Sequence, residues 1–184
     1  MLKKIIIICI ICLLLFYRLP EPKLIKSDDI IYSPAYGKVM EIKEDDSNYY
    51  IFIFLSPLDI HYQMVPISGK ISDIKYDATG KYNLAYELNK SNDNEKCIYK
   101  ITNKRGNFYV YQIAGYLVRR ISTFKKLGEN VNIGEKLGLI HFGSRVDLIV
   151  PKKNLQLLIK KDQYVKGTNT IIGKYIKMKY YKGL

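Results

Sequence analysis

Leu139-Ile-His-Phe-Gly-Ser-Arg-Val-Asp-Leu-Ile-Val-Pro151 is an apolar, β-like run with a Gly143-Ser144 step in its middle. Along a strand the side chains alternate faces, so Phe142, Ser144, Val146, Leu148 and Val150 are expected on one mostly apolar face, with His141, Arg145 and Asp147 on the other. Ser144 is then a polar atom on an apolar face and needs a partner. The glycine before it permits backbone conformations closed to other residues, which helps the serine hydroxyl approach the preceding carbonyl carbon. That approach is the first step of an N→O acyl shift, and it makes Gly143-Ser144 a candidate self-cleavage bond. Gly-Ser steps also mark simple strand kinks, so the step alone leaves both readings open.

Outward from this run, the chain divides into an apolar leader and one domain. Its 184 residues suffice for a single core and are too few for two ordinary ones. Lys3 and Lys4 precede Ile5 to Tyr17, thirteen residues without a charge. That is shorter than the about 20 residues of a typical spanning helix. No small-residue cleavage site follows, and Phe16, Tyr17, Arg18 and Leu19 provide an aromatic and basic flank. A retained membrane helix, short or tilted, is therefore expected over residues 1–19, with membrane association as its consequence. Pro20 and Pro22 open a linker over 20–32, and the domain occupies 33–184.

The formal charge of +13, from 30 Lys and Arg against 17 Asp and Glu, favours anionic partners. No helix-turn-helix, zinc-finger or RNA-binding signature is present, so acidic lipid is preferred and nucleic acid is not expected. Cys9 and Cys12 lie inside the apolar leader and read as buried or membrane-embedded thiols, while Cys97 stands alone. With only His61 and His141 in the chain, no metal site is expected.

From Ser33 onward short strands alternate with Pro, Gly, Asn and Asp, the clearest being Tyr49 to Leu55 and Phe108 to Ile113. Two internal repeats are visible. Pro34-Ala-Tyr-Gly-Lys-Val39 recurs as Pro66-Ile-Ser-Gly-Lys-Ile71, and Gly128-Glu-Asn-Val131 is echoed by Asp162-Gln-Tyr-Val165. Paired hairpins of this type look like the barrel-sandwich folds of biotinyl and lipoyl carriers. A carrier lysine would have to come from Lys177-Met178-Lys179, which reverses the usual Met-Lys-Met order. The expected fold is mainly β: one compact domain of short strands with barrel-sandwich-like hairpins, preceded by one N-terminal membrane helix.

Four blocks occur in order: SPAYGKV (Ser33 to Val39), LSPLDIHYQMVPISGKI (Leu55 to Ile71), QIAGYLVRRI (Gln112 to Ile121) and LIHFGSRVDLIVP (Leu139 to Pro151), with Asn94-Glu95 as a shorter one. Together they resemble the short-form phosphatidylserine decarboxylase proenzymes, from about Ser33 to Pro151. The resemblance implies that the Gly143-Ser144 bond breaks, leaving a β chain that ends at Gly143 and an α chain that begins with a pyruvoyl group made from Ser144. The two chains would remain a heterodimer, with further oligomerisation open. The pyruvoyl ketone would form a Schiff base with the amine of phosphatidylserine and accept the electrons released with CO2, giving phosphatidylethanolamine without an external cofactor.

Both reactions need a proton shuttle near neutral pH, which suits a histidine of ordinary pKa about 6.5. His61 matches the histidine of the family's LSPxDxH block. His141 ranks second, because alternation points it away from Ser144. The family's SPxDG block carries an aspartate that works with the histidine and serine in self-cleavage, and here that position is Tyr36, a neutral phenol. Asp59, two residues before His61, is the nearest candidate substitute. Met64 stands where long-form relatives carry a second histidine. The missing carboxylate keeps a second reading in view: a non-catalytic, membrane-anchored relative that binds anionic lipid or a partner protein.

Overall fold

Ile51, Ile53 and Leu55 alternate with Tyr50, Phe52 and Phe54; the first three are fully buried and the aromatic rings are partly exposed. This period of two builds a pleated strand, β3 (Asn48–Leu55), after β1 (Ile30–Tyr32) and β2 (Tyr36–Glu44). There follow β4 (Tyr62–Met64), β5 (Gly69–Asp77), the single-turn helix α1 (Leu88–Ser91), β6 (Lys96–Asn103), β7 (Gly106–Ile113) and β8 (Ile121–Thr123). The chain continues with β9 (Asn130–Val131), β10 (Lys136–Ile140), β11 (Ser144–Pro151), β12 (Leu155–Leu157), β13 (Tyr164–Lys166) and β14 (Ile171–Tyr175). The computed structural model describes residues 24–176 other than 82, 117–119 and 142, together with 3, 4, 6, 7, 14, 17, 18 and 21. Over these residues the expectation of a mainly β domain holds.

An eight-stranded antiparallel sheet runs in the order β13-β2-β3-β11-β7-β6-β5-β9, beside two three-stranded sheets, β1-β14-β12 and β4-β10-β8. β11 lies inside the large sheet, pairing Ser144 with Leu55 and Arg145 with Phe54 on one side, and Arg145 with Ile113 on the other. Val146, Leu148 and Val150 share a face with Ser144 and enter the main core with Ile53, Val110 and Ile101.

The internal repeat is real at the level of hydrogen bonds. β13 pairs Val165 with Gly37 on β2, and β9 pairs Val131 with Gly69 on β5, each at one edge of the large sheet. The backbone N–H of Val39 donates to Gln163 and that of Ile71 to Glu129, while Asp162 donates to Val39 and Gly128 to Ile71. Tyr32 donates to Pro66 as Met64 donates to Pro34. Even the register shifts correspond, one between Val39 and Glu41 and the other between Ile71 and Asp73.

Two details depart from expectation. The run from Leu139 to Pro151 is two strands, because Leu139 and Ile140 end β10 in a three-stranded sheet and β11 starts only at Ser144. Face alternation therefore cannot be carried from Ser144 back to His141, and Phe142 lies outside the described residues. Arg145 and Asp147 do take the opposite face from Ser144, but that face is also covered, and both are buried.

No helix among the described residues is long and apolar enough to cross a membrane. The membrane helix expected over 1–19 falls largely outside the described residues, as do Cys9, Cys12 and the lysine pair at 177 and 179. The segment expected as a linker ends in β1, where Ile30, Ile31 and Tyr32 are buried and pair with β14. Cys97 is buried in the core, and burial pushes its thiol pKa up to about 11.

Candidate active site

Ahead of β11 the backbone turns at Gly143 with a φ of +59°, a left-handed conformation that glycine adopts without steric cost. A Cβ there would meet nothing within 4 Å, so backbone conformation rather than crowding favours the glycine. The turn delivers Ser144 into the sheet. Its side chain is fully buried and its Oγ has no hydrogen-bond partner among the described residues. An unsatisfied buried hydroxyl costs about 1–3 kcal/mol, so this one calls for a functional explanation.

His61 follows the turn that closes β3. Within that turn the Asp59 N–H donates to Ser56 O at 2.9 Å, and the Ser56 N–H donates to Asp59 Oδ2 at 2.7 Å. The second carboxylate oxygen, Oδ1, accepts from the Tyr164 hydroxyl. His61 is fully buried, and its Nδ1 lies 2.7 Å from the Asp59 carbonyl oxygen. A carbonyl only accepts, so Nδ1 carries the proton and Nε2 holds the lone pair. Nε2 accepts the Gly143 N–H at 3.2 Å. Burial pushes the imidazole pKa down to about 4, against the upward pull of the hydrogen bond and charge of Asp59; the charges of His141 and Arg18 add to the lowering.

The sequence candidates are thus partly united. Gly143, Ser144, His61 and Asp59 converge, although Asp59 reaches the imidazole through its carbonyl while its carboxylate is held by Ser56 and Tyr164. His141 is engaged elsewhere, with its ring Nε2 3.2 Å from Ser122 Oγ and its backbone N–H donating to Arg120 O. Burial and then the Arg120 charge lower its pKa. Tyr36 is buried at the start of β2, with its ring where a Cβ on Gly167 would fall. Burial raises its phenol pKa, with Thr168 pulling the other way, and the group stays neutral.

Sequence reading missed several supports. Gln63 donates to the His61 carbonyl at 2.7 Å and accepts from Gln112 at 2.6 Å, which fixes the backbone of the turn that carries His61. Only a glutamine at an inward strand position could have flagged it. Arg145, next to the serine, donates to Leu88 O at 2.9 Å, to Ser91 Oγ, to Asn92 Oδ1 and to Asp147 Oδ2 at 2.9 Å. Asp147 is pushed up to about 6 by burial, although Arg145 pulls the other way. Just before the clamped segment, Leu84, Ala85 and Tyr86 join Phe54, Pro57 and Tyr116 in walling an apolar cavity of about 310 Å³ that reaches Gly143.

A family model described as phosphatidylserine decarboxylase matches residues 11–173. A phosphatidylserine decarboxylase proenzyme of Pelodictyon phaeoclathratiforme is 35% identical over 170 residues, covering 88% of this chain and 78% of that protein. The corresponding proenzyme of Carboxydothermus hydrogenoformans is 34% identical, covering 86% and 78%. A putative archaetidylserine decarboxylase proenzyme of Methanosarcina mazei is 39% identical over 160 residues, covering 87% and 74%. No solved structure matches the chain.

Proposed function

The chain belongs to the phosphatidylserine decarboxylase family, and on that premise we propose that it is a self-processing carboxy-lyase that converts phosphatidylserine to phosphatidylethanolamine and CO2. The observation that carries this reading is the buried Ser144 Oγ, without a partner among the described residues, following a glycine whose N–H is bound by a neutral His61. For self-cleavage, Nε2 of His61 exchanges the Gly143 N–H for the Ser144 hydroxyl and takes its proton as Oγ adds to the Gly143 carbonyl carbon. The proton passes to the Ser144 nitrogen as the C–N bond breaks, and an ester replaces the amide. Loss of the Ser144 α-proton then expels the Gly143 carboxylate. The resulting dehydroalanine takes up one water and releases ammonia.

The residues present fit the group so formed, because a buried serine, a neutral base and an apolar cavity meet at one strand end. When present, the pyruvoyl group supplies a ketone for the substrate amine and a sink for the electrons released with CO2. His61 is the side chain assigned to return a proton to the substrate α-carbon. The apolar cavity beside Gly143 suits the start of the lipid chains. Two relatives are named for phosphatidylserine and one for archaetidylserine, so diacyl and ether lipids are both within the proposed substrate class.

Residues 1–19 are assigned to a membrane anchor, 20–32 to a linker whose last three residues form β1 and pair with the domain, and 33–184 to the decarboxylase domain, whose two repeated edges suggest a barrel-sandwich relationship. The Arg18 guanidinium donates twice to Leu58 O, each at 3.2 Å, which supports an anchor that ends beside the catalytic turn. The test is an assay of the detergent-purified chain on vesicles containing phosphatidylserine. The wild-type chain should yield phosphatidylethanolamine and CO2 in equal amounts, and Ser144→Ala should yield neither. A folded wild-type chain that binds the vesicles without forming product would replace this reading with the non-catalytic one.

A further inference from the structure

Arg145 directly follows the reacting serine, and its guanidinium is fully buried, which is costly unless its donors are used. It sits on Asp147, with Nε 2.8 Å from Oδ1 and Nη2 donating to Oδ2 at 2.9 Å. The other bonds all go to one stretch of chain. Nη1 donates to Leu88 O at 2.9 Å and to Ser91 Oγ, and Nη2 donates also to Asn92 Oδ1. A buried ion pair is seldom more stable than apolar side chains of the same volume, so stability alone does not explain this one.

The bonds of Arg145 lead to the apolar cavity. Residues 83–92 lie between β5 and β6 and join none of the three sheets, so side-chain bonds have to place them. Ser91 Oγ, held by Arg145, donates to Glu87 O at 2.8 Å, and the Glu87 N–H donates to Leu84 O at 3.0 Å. Leu84, Ala85 and Tyr86 are the wall of the cavity that reaches Gly143. Tyr86 meets the Phe54 ring edge-on, with centroids 6.3 Å apart, and Phe54 is the β3 residue paired with Arg145. At the base of the segment Asn94 Nδ2 donates to Asn83 O at 2.7 Å and to Ala114 O at 2.8 Å. The wall is thus fastened at two places, and one of them is Arg145.

We propose that Arg145, seated on Asp147, is a positioning residue for recognition of the lipid chains: through Leu88, Ser91 and Asn92 it holds the wall at 84–86 beside the reacting serine. The inference rests on the decarboxylase reading above. Its ligand is the chain-bearing glycerol end of a serine phospholipid, and the headgroup is outside its reach. It also ties the two products of the proposed cut together, since Arg145 would be the second residue of the α chain and the wall belongs to the β chain.

The test compares two soluble substrates on the detergent-purified full chain: dihexanoyl phosphatidylserine below its micelle concentration, and glycerophosphoserine, which has the headgroup and no chains. Asn92→Ala removes one acceptor at an exposed residue, so the fold should survive it. It should raise KM for the dihexanoyl lipid roughly fivefold with kcat within about twofold, and leave kcat/KM for glycerophosphoserine at the parental value. Ser91→Ala should act in the same direction. Asn92→Asp, which keeps an acceptor for the guanidinium, should restore most of the parental KM. Tyr86→Ala should raise the same KM at the wall itself, and adding Asn92→Ala to it should cost less than Asn92→Ala does alone. Equal losses on both substrates would show a merely structural role and overturn the proposal, and so would a parental KM for the lipid in both Asn92→Ala and Ser91→Ala. A second arm measures binding of the two compounds by calorimetry in the Ser144→Ala chain. There Asn92→Ala should weaken the dihexanoyl lipid several-fold and leave glycerophosphoserine unmoved, and no difference between the two would overturn the proposal. If the parent releases CO2 from neither compound, the decarboxylase reading fails by itself, and the calorimetric arm still decides whether the grip of Arg145 shapes the cavity for lipid chains.

Discussion

His61 is neutral at pH 7 because desolvation outweighs the hydrogen bond and charge of Asp59. Its folded pKa, about 4, lies below the ordinary 6.5, so the unfolded chain binds the extra proton between those values. Stability is then complete above about pH 6.5 and falls as the pH drops towards 4, by about 3 kcal/mol for a shift of this size. Asp147 acts in the opposite sense over its own window, gaining stability as pH falls from about 6 towards 3.8. Comparing Ser144→Ala with Ser144→Ala/His61→Leu cancels that contribution. Urea melts at pH 7 and pH 4.5 should show a larger acid loss for the chain that keeps His61, and equal losses would contradict its buried, neutral state. Gly143, Ser144, His61 and Asp59 could all be named from residue type and motif, and the fold brings them together. That Asp59 meets the imidazole through its main-chain carbonyl, and that its carboxylate reaches Tyr164 across 105 residues of sequence, could not be read that way.

β11 shows what a pattern of alternation leaves out. The period of two correctly sorts Val146, Leu148 and Val150 from Arg145 and Asp147, but it cannot tell a solvent face from a second buried one. The second face is closed by α1 and its flanks, which Arg145 grips through Leu88, Ser91 and Asn92. The break before Ser144 was equally hidden, because Leu139 and Ile140 look like the same apolar run until their partners, Ser122 and Ile121 on β8, are known. The repeats were legible, since each sets a branched residue at matching spacing, and both place a single edge strand of two or three residues on the large sheet. Arg145→Met in the Ser144→Ala chain should cost about 3–5 kcal/mol in urea unfolding, because it strands Asp147 in a buried site. A loss below about 1 kcal/mol would mean that the pair and its grip on α1 contribute little.

Taken over the molecule as a whole, the proposed cut at Gly143-Ser144 would fall between two sheets, and the α chain it releases would begin with a strand already paired to β3 over eight residues and to β7 over five. β14 and β13 would then return that chain to β1 and β2 of the β chain. Backbone pairing on both sides of β11 should therefore hold the fragments together under native conditions. The decisive measurement is mass spectrometry of the purified protein in its native and denatured states. The native particle should contain both fragments, and denaturation should release a β chain ending at Gly143 and an α chain starting at position 144 with the mass of a pyruvoyl group in place of serine. A single intact chain that keeps Ser144, recovered folded after prolonged incubation, would contradict self-processing.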